Sequence, residues 1–191
     1  MRVFIGIELS EPVKKALFEV QQQIVPDSQK GRFTDIDNFH LTLQFIGEAN
    51  PQEIEQLKNV VAETASEMMG FETTLDALNK FQKKRGLILW VGPKAPGPFF
   101  HLYDQLHIIT KEQAFNIEKQ LYTPHVTLGR NIVWKEGTEP SYIQPLDSPI
   151  PIQIDNLTLF ESVRVNGRLI YRPFARYALN YQHKTVERKE E

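Results

Sequence analysis

The chain has 191 residues, of which 41% are hydrophobic, 24% charged and 10% aromatic, the balance of an ordinary globular protein rather than a disordered or fibrous one. A formal net charge of −2 excludes a protein that coats nucleic acid through bulk electrostatics, while leaving room for a local anion site. The absence of cysteine excludes a disulfide framework, a thiol nucleophile, thiolate metal sites and iron–sulfur clusters.

Val3 to Ile7 is β-branched and almost continuously apolar, which predicts a strand buried on both faces. The run is too short for a signal peptide or a membrane span, so the expected location is the cytoplasm. Ser10 is placed to cap a helix whose apolar positions Val13, Leu17, Val20 and Ile24 recur at helical spacing and stop before Pro26. Pro26 to Gly31 reads as a loop, and Phe39 to Phe45 as the next strand, closed by Gly47. Asn50-Pro51-Gln52-Glu53 combines a capping side chain, an N1 proline and a first-turn carboxylate, and opens a helix with Ile54, Leu57, Val61, Ala65 and Met68 on one face and Gly70 at its end. Phe71 to Ala77 alternates as a half-buried strand does.

Leu87 to Val91 repeats the apolar strand signal after the basic turn Lys83-Lys84-Arg85-Gly86. Gly92 to Pro98 is a loop, and Phe99, Leu102, Leu106 and Ile109 mark a helix behind it. Tyr122 to Leu128 reads as a strand, and the proline and polar content of Asn131 to Pro149 predicts a long loop acting as a lid. The last third reads as an antiparallel meander: Ile150 to Ile154, Leu157 to Val165, the hairpin turn Asn166-Gly167, Arg168 to Tyr171 and Phe174 to Leu179. The expected organisation is one unit over residues 1–181, followed by a charged, disordered tail at 182–191.

The two halves repeat each other. Each runs strand, helix, strand, and each closing strand carries histidine, aliphatic, threonine, leucine: His40-Leu41-Thr42-Leu43 and His125-Val126-Thr127-Leu128. Val3 to His40 is 37 positions and Leu87 to His125 is 38. This predicts two pseudo-twofold lobes presenting one such strand each to a shared cleft. Side chains at i and i+2 share a face of a strand, so His40 sits with Thr42 and His125 with Thr127.

Two imidazoles and two hydroxyls around one pocket suit phosphoryl chemistry without metal. Displacement at phosphorus needs a base for the attacking oxygen and an acid for the leaving one, and two histidines near neutral pH can hold those opposite states. Thr42 and Thr127 can donate to the non-bridging oxygens, although threonine is also simply a good strand former. Arg130 can add a bidentate phosphate contact, but strict alternation places it with Val126 and Leu128, so that role requires a bulge or strand end at Gly129. His101 and His107 lie six apart on the third helix, point to different faces, and read as surface or partner-satisfied residues. No histidine–carboxylate grouping has zinc spacing, so neither metal nor cofactor is expected. Arg164, Arg168, Arg172 and Arg176 recur every four positions and can track an RNA backbone or form a solvated face, the second being favoured, and the basic turn at Lys83 to Arg85 stands the same way.

His40-Leu41-Thr42-Leu43-Gln44-Phe45-Ile46-Gly47-Glu48 and Pro124-His125-Val126-Thr127-Leu128-Gly129-Arg130 resemble the paired motifs of the two-histidine (2H) phosphoesterase superfamily, most closely its LigT-like RNA 2′,3′-cyclic phosphodiesterases, also called 2′-5′ RNA ligases. The likeness extends from Arg2-Val3-Phe4-Ile5-Gly6-Ile7 through Leu89-Trp90-Val91-Gly92 to Leu159-Phe160-Glu161-Ser162. It implies a bilobal α+β fold: two pseudo-twofold-related lobes of antiparallel sheet, helices packed on the outside, and a central cleft. It also implies opening of a terminal 2′,3′-cyclic phosphate on RNA to a 2′-phosphate, with His40 as proton donor, His125 as proton acceptor, and Thr42, Thr127 and Arg130 as substrate contacts. The reverse reaction would be a 2′-5′ ligation. The implied partner is an RNA end bearing the cyclic phosphate, met by a monomer with no membrane and no obligate protein partner. The approach to the first motif, Arg32-Phe33-Thr34-Asp35-Ile36-Asp37-Asn38-Phe39, departs from the tryptophan and Glu-Asn-Leu run common among relatives, so contacts to ribose or base do not carry over. Phe45 can stack on a base or, by alternation, face the core. Two other functions fit the same motifs: a related phosphodiesterase for small cyclic phosphates or 2′-5′ oligonucleotides, and an RNA-end-binding module without turnover.

Overall fold

In a computed structural model that describes residues 1–115, 117–137 and 144–180, the buried strands assemble into two antiparallel sheets. In chain order the elements are β1 (Arg2–Glu8), α1 (Glu11–Ile24), β2 (Ser28–Phe33), β3 (His40–Glu48), α2 (Pro51–Glu67), β4 (Phe71–Lys83), β5 (Gly86–Gly92), α3 (Gly97–Glu112), β6 (Val126–Trp134), β7 (Gln144–Ile154), β8 (Asn156–Val165) and β9 (Arg168–Ala178), with short 3-10 turns at Val25–Asp27 and Ile36–Asn38. The first sheet has the order β3-β1-β8-β9 and the second β2-β6-β5-β4-β7. The fold is α+β, as the family resemblance implies, and no described helix is long and apolar enough to cross a membrane.

β1 is central in its sheet and covered on both faces, so Val3, Ile5 and Ile7 are fully buried and Phe4 nearly so. α1 leaves the first sheet after β1 but lays Val13, Leu17 and Ile24 against the second, on β6 and β7. α3 leaves the second sheet after β5 and packs on α2 and on β3 of the first. Each sheet is thus covered by a helix that begins from the other. Every fully buried leucine in these seams, Leu17 and Leu106 among them, contributes about 1.5–3 kcal/mol by leaving water.

Local signals are realised where they were strongest. Asn50 and Glu53 form a complete capping box on α2, each side chain accepting from the other's backbone N–H at 2.9 and 2.7 Å. Asn166 and Gly167 both adopt positive φ in the β8–β9 turn.

Other expectations change. The loop over Pro26 to Gly31 is instead mostly β2, an edge strand held by its pairing with β6. Ser10 stands at the start of α1 without a side-chain capping bond. The strand expected over Tyr122 to Leu128 runs from Val126 to Trp134, and β7 begins at Gln144, so most of the supposed lid is sheet while residues 138–143 lie outside the described residues. The tail at 182–191 also lies outside them. The meander is interrupted: β7 pairs with β4 in the second sheet, the chain crosses at Asp155, and β8 and β9 belong to the first, with β9 one continuous strand.

Candidate functional site

On β3 the alternation from His40 to Leu43 is regular, with His40 and Thr42 half-buried on one face and Leu41 and Leu43 in the core on the other. β6 repeats this with Thr127 between buried Val126 and Leu128, and His125 immediately precedes the strand. Both strands then break step at the same place. Leu43 is an extra residue between the pairs Gly6–Thr42 and Ile5–Gln44, and Leu128 is an extra residue between Trp90–Thr127 and Leu89–Gly129. Second irregularities also correspond, at Ile46 and Asn131.

A bulge inverts the parity of everything beyond it. Gln44 and Gly129 therefore turn to the core side, and Phe45 and Arg130 turn to the face that carries the histidines. The alternation that would send Arg130 away from His125 is broken at Leu128, one residue before Gly129. Arg130 Nη2 donates to Thr127 Oγ1 at 3.4 Å, on the same face. Phe45 is correspondingly 51% exposed, with the Arg2 guanidinium 5.0 Å above its ring, so it is not a core residue.

Both rings are held through the same atom. Asn38 and Thr123 each offer a backbone carbonyl to the histidine two residues on, at 2.7 Å from Nδ1 of His40 and of His125. A carbonyl only accepts, so Nδ1 carries the hydrogen in both and Nε2 is left as the atom that gains or loses a proton. His40 Nε2 lies 2.8 Å from Thr42 Oγ1, whose hydroxyl donates to it when the ring is neutral. His40 packs against Phe4 and Tyr171 at 4.8 Å each and Phe160 at 5.8 Å; His125 packs against Phe81 at 5.2 Å and Trp90 at 5.7 Å. Asn38 organises the first bay further, donating to the Leu169 carbonyl at 2.8 Å and accepting from the Tyr171 N–H at 2.9 Å, which ties β9 beside His40.

These surroundings favour neutral imidazole. Burial pushes His40 down to about 4 against the opposing pull of the Asn38 carbonyl, and the charges of Arg130 and His125 add to the depression. His125 is lowered by burial first and then by Arg130, with the Thr123 carbonyl again opposing. Arg130 thus acts on both rings, and His125 acts on His40: the two half-sites share one electrostatic environment.

Two glycines let the strands come this close. A Cβ on Gly6 would stand 2.6 Å from the Leu41 carbonyl oxygen, and one on Gly92 would stand 2.7 Å from that of Pro124, the residues flanking the two histidines. The second bulge is secured from α1 by Gln21, a buried side chain that belongs to neither histidine motif. Its Nε2 donates to the carbonyls of Leu128 and Thr34, both at 2.8 Å. Its signal was present: Gln21 interrupts the apolar stripe of Val13, Leu17 and Ile24, where a polar residue must find buried partners.

The remaining candidates lie elsewhere. His101 is exposed, while His107 is buried against Tyr103 and its Nδ1 has no hydrogen-bond partner, so it is not a surface residue. Arg176 is engaged with Glu8 at 3.7 Å and Asp155 at 3.8 Å, and Arg164 donates to the Gly167 carbonyl at 3.3 Å. Among the described residues, no three histidine, aspartate or glutamate side chains group as a metal site would.

Comparison with known proteins agrees with this geometry. The family model for the 2′-5′ RNA ligase superfamily matches residues 21–166. The chain is 26% identical over 174 residues to the RNA 2′,3′-cyclic phosphodiesterase of Thermotoga maritima, a match covering 90% of this chain and 92% of that protein. It is likewise 26% identical over 179 residues to the RNA 2′,3′-cyclic phosphodiesterase of Escherichia coli, covering 93% and 96%. The crystal structure of E. coli LigT in apo form aligns with a TM-score of 0.77 at 26% identity, over 93% of this chain and 96% of that one.

Proposed function

The chain belongs to the 2′-5′ RNA ligase superfamily, and from that premise we propose that it is an RNA 2′,3′-cyclic phosphodiesterase that opens the cyclic phosphate at an RNA end to a 2′-phosphate. The observation that carries this reading is the duplicated histidine: two rings from equivalent strands, each with Nδ1–H fixed on a carbonyl and Nε2 left for proton transfer.

Water attacks phosphorus as His125 Nε2 removes its proton, and a new P–O bond forms. The bond from phosphorus to the ribose 3′ oxygen breaks, and its electrons stay on that oxygen, which takes the proton from His40 Nε2. The products are a 2′-phosphomonoester and a free 3′-hydroxyl. Thr42 and Thr127 donate to the non-bridging oxygens, and the Arg130 guanidinium balances the charge that gathers on them. The anion raises the proton affinity of the rings that burial has lowered, which is how His40 becomes an acid once substrate is bound. With an RNA 5′-hydroxyl in place of water as the attacking nucleophile, the same steps form a P–O5′ bond as the P–O3′ bond breaks, which gives a 2′-5′ linkage and a free 3′-hydroxyl.

In this reading the catalytic unit is residues 1–181 of one chain, working in the cytoplasm without metal or cofactor. The test is a product analysis on an oligoribonucleotide with a 2′,3′-cyclic terminus. A 2′-phosphate is the expected product; a 3′-phosphate, or tight binding with no product at high enzyme concentration, would overturn the proposal.

A further inference from the structure

Arg130 does not stand alone on its face of the second sheet. In the antiparallel pairing of β2 with β6, Arg32 is the residue directly opposite it. Residues directly opposite in such a ladder project to the same side, with Cβ atoms about 4.5–5.5 Å apart. The neighbours of Arg32 agree, because a Cβ on Gly31 would run into the core side chain of Ile132, and Phe33 packs with the core. Arg32 lies between them and takes the opposite side, the one that Arg130, Thr127 and Trp90 share. Lys30, two residues back along the same strand, pairs with Val133 across a register shift whose extra residue lies on β6, so the alternation of β2 itself puts it on that side.

Two guanidinium groups directly opposite each other repel. Among the described residues neither Arg32 nor Arg130 pairs with a carboxylate, and both side chains are exposed. An arrangement of this kind is relieved by an anion, and here one of the two cations borders the histidine pair while the other lies one strand further out. On a chain whose net charge is −2, the local concentration of positive charge is a feature of this edge and not of the whole surface.

We infer that Arg32 is a second phosphate site, binding the phosphodiester one nucleotide before the reacting end, with Lys30 continuing the track outward along β2. This rests on the proposed phosphodiesterase activity and deepens it: the substrate class is an oligoribonucleotide with at least one internal phosphodiester, in preference to a cyclic mononucleotide. Arg130 meets the reacting phosphate and Arg32 the next, so the chain reads the end of a strand by two adjacent charges.

The test compares a short oligoribonucleotide carrying a 2′,3′-cyclic end, the same oligonucleotide with a neutral methylphosphonate at the last internal linkage, and a cyclic mononucleotide. Arg32→Ala is expected to lower kcat/KM on the first by about 10- to 100-fold, the scale of a charge-assisted bidentate contact, and to leave the other two unchanged. Wild-type protein should lose a similar factor on the methylphosphonate. An equal loss on all three substrates, or a loss that persists on the methylphosphonate, would overturn the inference. Binding of an oligoribonucleotide ending in a 2′-phosphate is measured in parallel. If the wild-type chain turns over none of the substrates, the phosphodiesterase proposal falls, while weaker binding by Arg32→Ala that disappears on the methylphosphonate still upholds the phosphate site.

Discussion

Gln21, on a helix that covers the second sheet, donates its amide hydrogen at 2.8 Å to the carbonyl of Leu128, the extra residue of the β6 bulge. The same carbonyl accepts from the Thr34 N–H at 2.8 Å. A bulge disturbs the regular ladder, and here the carbonyl at the bulge is held twice, by a backbone N–H and by a side chain from a different layer. Arg130 owes its side of the sheet to that bulge.

Gln21→Met keeps the length of the side chain and removes the donor. The Thr34 carbonyl loses this bond and that of Leu128 keeps only the Thr34 N–H, so denaturant unfolding should show a loss of about 1–3 kcal/mol. If Gln21 also positions Arg130, the variant's pH–rate profile should move in the same direction as that of Arg130→Ala. A loss of stability with an unmoved profile would make Gln21 a purely structural residue.

Replacing His40 or His125 by alanine should lower turnover of a cyclic-ended RNA by on the order of a hundred-fold to ten-thousand-fold, the range for loss of a general acid or base. Losses below about threefold at both positions would remove them from the mechanism. Turnover should be indifferent to chelators, and an enzyme silenced by EDTA and restored by a divalent cation would contradict the metal-free scheme.

The pH dependence has a definite sign. Burial and Arg130 lower both histidines below their ordinary value, so in the free enzyme the neutral ring persists to lower pH than in a peptide. The kcat/KM profile, which reports the free enzyme, should be bell-shaped with its apex below about 6.5, the unperturbed histidine value. The kcat profile reports the complex, where the bound anion favours the charged ring, and its apex should lie at higher pH. Arg130→Ala removes a positive charge beside the rings, so the kcat/KM apex should fall in height yet shift upward in pH. Steady-state rates from about pH 4 to 9 decide this, and an apex above 6.5 for wild-type kcat/KM would contradict it.

Gly6→Ala should damage the first half-site from the neighbouring strand. The new methyl would meet the Leu41 carbonyl oxygen at 2.6 Å, and a backbone atom cannot rotate away as a side chain can. A cost of about 1–3 kcal/mol is expected, seen as a lower melting temperature. An alanine variant as stable and as active as wild type would show that β1 and β3 separate without penalty.

The parts of this fold that were legible in the sequence are those set by short-range chemistry. The capping box at Asn50 and Glu53, the positive-φ turn at Asn166-Gly167 and the buried β1 each follow from the identities of a few adjacent residues. The paired motifs were legible as well, and so was the face shared by each histidine and its threonine. β2 was not: Ser28-Gln29-Lys30-Gly31-Arg32-Phe33 has almost no apolar pattern, and its conformation is decided by pairing with β6. The bulges were equally hidden, since one unpaired residue changes no composition and no spacing, yet it reverses the side on which Phe45 and Arg130 emerge. Sheet membership in the last third escaped for a related reason. Nothing in Ile154-Asp155-Asn156 distinguishes a hairpin from a crossing between sheets.

The exchange of helices between the sheets bears on how the enzyme comes into being. Because α1 covers a layer whose strands are made later in the chain, and α3 returns to one made earlier, neither half can close its interior before the other exists. Dividing the chain between Lys83 and Gly86 would yield two fragments that are each insoluble or unfolded alone, and that recover a working molecule only on mixing. Assembly should accordingly be slow for a chain of this length, as folding governed by distant contacts is, and no partly built species should process RNA.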